Sequence, residues 1–139
     1  MTLQLGTTDR RLDLAAIEQG VEKECPDRPG LFVRILPASP YNPRYRAAVE
    51  NRALKVTENG EGPPSFVEMF DDPAFVTEAL VADMRGIRDG DGSEVAYTPE
   101  IGVQILSAPE HQDVREWIGR ESLKRGQYYT ESVEGRKGN

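Results

Sequence analysis

The stretch "GVEKECPDRPGLFVRILPA", residues 20–38, decides the fold class. Its second half carries Phe32, Val33 and Ile35, side chains that fit a pleated, half-buried surface. Residues 20–25 alternate loosely, and Pro26, Pro29 and Gly30 mark a turn between the two halves. Together these features predict an antiparallel hairpin over about residues 20–37. Ahead of it, "MTLQLGTTDRRLDLAAI" is a polar lead followed by a short apolar patch. Beyond it, from about residue 42, helical periodicity takes over. The expected class is therefore α+β, predominantly helical, with an N-terminal β-hairpin and a short second hairpin near residues 86–97.

The helical part has clear punctuation. Asn42 is placed to cap and Pro43 to occupy the first helical position, with Tyr45, Ala48, Val49, Ala53 and Val56 near helical spacing. "TENGEGPP" (57–64) holds Gly60, Gly62, Pro63 and Pro64 and reads as a linker. It is too short to separate two domains, so residues 1–139 form one domain: a hairpin–helix part over 1–56, the linker 57–64, a helical part over 65–126 and a flexible tail over 127–139. "SFVEMF" allows one helical turn. "DDPAFVTEALVADMRG" (71–86) gives the strongest helical pattern, with Asp72 as cap, Pro73 at the start, Val76, Leu80 and Met84 at steps of four, and Gly86 as the stop. Thr98-Pro99-Glu100 opens a short helix through Ile101, Val103, Ile105 and Leu106. Ser107 to Glu110 has capping-box spacing and opens the last helix.

Between these helices lies "RGIRDGDGSEVAYTPE" (85–100), which has part of a calcium loop's pattern. Counting from Asp89, the ligand positions hold Asp89, Asp91, Ser93 and Glu100. The sixth position needs glycine for a sharp turn and is Glu94, and Pro99 interrupts the exit. Asp-Gly pairs are strong turn formers, so a hairpin turn at Asp89–Gly92 is the preferred reading and no metal is expected.

Charge and composition narrow the function. The chain has 139 residues, a net charge of −7 and a lean 37% of hydrophobic residues. A pI near 4.8 disfavours nucleic acid, whose phosphates would be repelled. Basic clusters at Arg44/Arg46/Arg52 and Arg115/Arg120/Lys124/Arg125 are interleaved with carboxylates and read as solvated helix faces. Cys25 stands alone, so no internal disulfide argues for secretion. No apolar run is long enough to span a membrane and no signal peptide is apparent, so a soluble cytoplasmic protein is expected.

Catalytic signals are sparse. One histidine and one cysteine do not make the usual zinc sites, and His111 reads as a surface residue. Carboxylate pairs such as Glu22/Glu24 and Asp71/Asp72 lie outside apolar runs, so nothing splits their pKa values. The "GEG" at 60–62 is followed by two prolines, which lack the amide donors that a phosphate cradle needs. The expectation is a protein that is not an enzyme and takes no cofactor. The aromatic group Trp117, Tyr128 and Tyr129, supported by Val114 and Ile118, is the candidate partner-binding surface. Aromatic side chains bury much area at little rotamer cost, and the stripe Val114, Trp117, Ile118 looks narrow for a fully enclosed face.

The order of elements resembles the tail assembly chaperones of long-tailed bacteriophages. It runs through "FVRI" (32–35), "NPRYRAAV" (42–49), "ALVADMRGI" (79–87), "RDGDGSEVAYTPE" (88–100) and "ILSAP" (105–109) to a charged helix and a "KGN" tail. The resemblance covers the chain from about residue 18 onward, and its most specific piece is Leu80 to Pro99. It implies a non-enzymatic factor of the host cytoplasm that escorts the phage tape measure protein, brings tail tube subunits to it, and is absent from the finished particle. Self-association or partner binding is expected through the apolar helix faces and the aromatic C-terminal region. The alternative is a structural protein of the virion, in the tail or the head–tail junction. Neither reading involves nucleic acid or a membrane.

Overall fold

In a computed structural model, which describes residues 10–60, 62 and 64–131, the hairpin is present. Strands β2 (Val21–Glu24) and β3 (Phe32–Ile35) pair antiparallel, from Val21 opposite Ile35 to Glu24 opposite Phe32. The turn is closed by Cys25 N–H donating to the Leu31 carbonyl at 2.9 Å, while Gly30 N–H donates to the Glu24 carboxylate at 3.0 Å. Val33 and Ile35 point into the core, as their alternation requires.

The sheet has a third strand, and here the expected helix over 71–86 is corrected. Helix α4 (Pro73–Leu80) starts as anticipated, with the Asp72 carboxylate accepting from Ala74 N–H at 3.0 Å, but it stops at Leu80. Strand β4 (Val81–Arg85) follows directly and pairs antiparallel with β3. Val76, Leu80 and Met84 fit a helix by spacing alone. Backbone pairing with β3 outweighs that local preference. A register shift between Arg34 and Ile35 breaks the alternation of β4, so Val81 and Met84 are both buried and no period-two pattern shows.

Helix α2 (Pro43–Asn59) runs three residues into the expected linker. Asn42 caps it, accepting from Arg44 N–H at 3.0 Å, and its own amide donates to the carbonyls of Pro37 and Ala79, both at 2.9 Å. One buried side chain thus ties α2 to the end of β3 and to α4. Helix α3 (Phe66–Phe70) is capped by Ser65. The Asp-Gly hairpin shrinks to one bridge, Arg88 opposite Glu94, with Val95 N–H donating to the Ile87 carbonyl at 2.8 Å.

Helix α5 (Pro99–Ser107) is capped by Thr98. The capping box expected at Ser107 does not form. Its hydroxyl donates back to the Val103 carbonyl at 2.6 Å, and a 3-10 turn at Pro109–His111 leads into α6 (Gln112–Ser122). The chain on either side of these elements is also structured. Strand β1 (Arg10–Leu12) and the short α1 (Leu14–Gln19) precede the hairpin, and a 3-10 turn at Arg125–Tyr128 follows α6. Strand β5 (Tyr129–Glu131) then pairs antiparallel with β1. The tail expected to fray from 127 is therefore ordered through 131. Residues 132–139 and 1–9 lie outside the described residues. One hydrophobic cluster draws on β3, α2, α4, β4, α5 and α6, from both sides of the linker.

Candidate functional site

The five residues expected to form an aromatic docking surface are placed mainly inside the molecule. Val114, Ile118 and Tyr128 are buried and Trp117 is only 7% exposed, while Tyr129 is half-buried. Four of the five are core residues. The stripe on α6 looked narrow because Glu121 and Ser122 follow it on the same face, yet both of these, and Arg115, are buried with partners. Arg115 donates to the Leu106 carbonyl and to the Asp71 carboxylate, each at 2.8 Å. Glu121 pairs with Lys23 at 3.1 Å and with Lys124. Burial pushes its carboxyl pKa up, but the hydrogen bonds from Lys124 and Lys23 outweigh burial and hold it below the usual value. The Ser122 hydroxyl donates to the Gly119 carbonyl at 2.7 Å. Tyr128, after the Arg125 turn, folds back and donates its hydroxyl to the Ile35 carbonyl at 2.7 Å.

Tyr129 leads to the first of two surfaces fit for partners. With Leu12, Ile17, Pro40 and Tyr41 it lines a pocket of about 150 Å³, floored by Tyr128. Tyr41 is 61% exposed at its mouth, with Leu14 exposed on α1. Tyrosine rings here offer apolar area and a polar tip together. The second surface is a cleft of about 350 Å³ between α3 and α6. The Phe66 and Phe70 rings stack at 4.1 Å there, and Phe70 continues to Phe75 in the core at 5.7 Å. Sequence reading passed over this cleft. The available signal was "SFVEMF", four large apolar residues on a helix too short to bury them all.

The other residues singled out have local roles. The Asp89 carboxylate accepts from its own turn, from Asp91 N–H at 2.9 Å and Ser93 N–H at 3.0 Å. Among the described residues no group of three or more His, Cys, Asp or Glu side chains could hold a metal ion. His111 lies half-buried with Nδ1 at 3.0 Å from the Ile105 carbonyl. Cys25 is buried, which pushes its thiol pKa up. The basic groups are less solvated than expected: Arg44 donates to the Glu78 carbonyl at 2.9 Å, and Arg52 pairs with Asp72 and Glu78. No helix among the described residues is long and apolar enough to cross a membrane.

The chain matches a family described as YdaY prophage protein over residues 41–139. It belongs to that family and is phage-derived. No curated protein and no solved structure matches it.

Proposed function

We propose that this phage-associated protein is a tail assembly chaperone, a non-enzymatic factor of the host cytoplasm. It binds tape measure and tail tube proteins during morphogenesis and leaves before the particle is complete. The prophage family supports the setting, and the resemblance of the segment Leu80 to Pro99 to such chaperones supports the role. The observation that carries partner binding is the tyrosine-mouthed pocket, with Tyr41 exposed and Tyr129 half-buried beside it. A client can dock an apolar side chain there and release it again, because the pocket is small and its lining includes the polar residues Ser39 and Arg125.

Co-expression with the tape measure and tail tube proteins encoded by the same prophage tests this. Tagged protein is expected to co-purify with one of them, and Tyr41→Ala with Tyr129→Ala to reduce recovery without unfolding the chain. Mass spectrometry of purified particles should find the protein missing. Its presence at fixed copy number would replace the chaperone reading with a structural one.

A further inference from the structure

The cleft between α3 and α6 is walled by one face of each helix. On α3 the wall repeats at Phe66 and Phe70; on α6 and its C-cap it repeats at Gly119 and Leu123, again four residues apart. Phe70 closes the floor against Gly119, where an added Cβ would sit 3.1 Å from the ring. The lips are apolar and open. Val67 is 75% exposed, Phe66 47% and Leu123 46%. Single exposed apolar side chains are ordinary, but three around one cleft form a patch that calls for a cover.

The charges on α6 indicate what covers it. Glu116 and Arg120 line the cleft one helical turn apart. Glu116 accepts from Gln112 at 3.0 Å, and the Arg120 guanidinium has no partner among the described residues. An anion and a free cation one turn apart make a self-complementary pattern. A second α6 laid antiparallel about a twofold axis sets each Arg120 against the other's Glu116.

We propose that this cleft is the face through which two copies of the chain associate, with the Val67 lip of each seated in the cleft of the other. This inference does not rest on the proposed role in tail assembly. Nine residues line the cleft, fewer than the roughly 20–30 per side of a standard interface. A reversible dimer with a dissociation constant on the order of micromolar is therefore expected.

Sedimentation velocity of the full chain across the micromolar range tests it, with circular dichroism melting to confirm that each variant folds. The wild type should pass from monomer to dimer as concentration rises. Val67→Asp should remain monomeric with an unchanged melting temperature, since its side chain is mostly exposed. Glu116→Arg and Arg120→Glu should each weaken association at least tenfold alone, while an equimolar mixture recovers it. In the mixed dimer the introduced arginine faces the introduced glutamate, and native Arg120 faces native Glu116. A monomer at every concentration, a dimer indifferent to Val67→Asp, or a mixture no tighter than its components would overturn the proposal. None of these outcomes bears on whether the protein co-purifies with tail proteins.

Discussion

Glu121 shows how a buried charge is held. The residue is 6% exposed, and an unpaired carboxylate there would be costly. Lys23 reaches it from β2 and Lys124 from just past α6, so the pair ties the sheet to the C-terminal helix. Burial raises the pKa of Glu121 and the two lysine hydrogen bonds lower it further than burial raises it. A folded-state pKa below the unfolded one means that this stabilisation is present above the unfolded value of about 4.5 and lost as pH falls through the folded value. Glu121→Gln is therefore expected to melt lower than wild type near neutral pH and to lose less on acidification; parallel curves of melting temperature against pH would refute this. Tyr128 makes a second residue-scale case. Replacing it with phenylalanine removes only the bond to the Ile35 carbonyl and should cost about 1 kcal/mol, whereas alanine should cost about 3–5 kcal/mol by opening the core. Denaturant titration separates the two. Neither role was legible in sequence, because Lys23 and the Ile35 carbonyl sit on the distant hairpin, and a polar or tyrosine-containing stretch reads as surface until those partners are known.

At the scale of elements, the hairpin was legible and the third strand was not. Residues 20–37 announce themselves by a Pro/Gly turn between β-forming runs, a local signal. Residues 81–85 carry helix-compatible spacing, and only pairing with β3 makes them a strand. The end of that strand explains why Gly86 matters. It adopts φ +94°, and a Cβ there would lie 2.0 Å from the Gly30 carbonyl oxygen, in the turn between β2 and β3. The glycine read as a helix stop is instead the point where the hairpin turn passes over the end of β4. Left-handed backbone alone costs an alanine roughly 1–2 kcal/mol, and the backbone collision adds to that. Gly86→Ala should thus destabilise by more than about 2 kcal/mol in equilibrium unfolding. A smaller loss would mean that the hairpin turn shifts aside easily and that its seat on β4 contributes little. The caps at Asn42, Ser65, Asp72 and Thr98 were all legible, since each depends only on residues within one turn. Ser107 was misread because a proline-led 3-10 turn comes between it and α6.

Across the whole molecule, the two ends of the described chain are joined. Strand β5 pairs with β1 from Arg10 opposite Glu131 to Leu12 opposite Tyr129, and Asp13 N–H donates to the Tyr128 carbonyl at 2.9 Å. The same segment carries Tyr128 into the core beneath the tyrosine-mouthed pocket, so this pocket exists only when both ends are in place. Such long-range pairing leaves no local trace: β1 is three residues long, and β5 follows a glycine and precedes a polar run that invites a tail reading. Two truncations separate the readings. Removing residues 132–139 takes away none of these contacts and should leave the melting temperature close to that of the full chain. Removing 125–139 takes away Tyr128, the partner of β1 and one wall of the pocket. Loss of the tyrosine alone should cost about 3–5 kcal/mol, and β1 is left with an unpaired edge. The shorter chain should melt well below the full one, with amide exchange accelerating at residues 10–12 as well as at its new C-terminus. If it instead melted like the full chain, Tyr128 would be a covering residue whose place water can take, and the segment would return to the mobile tail that its composition suggests.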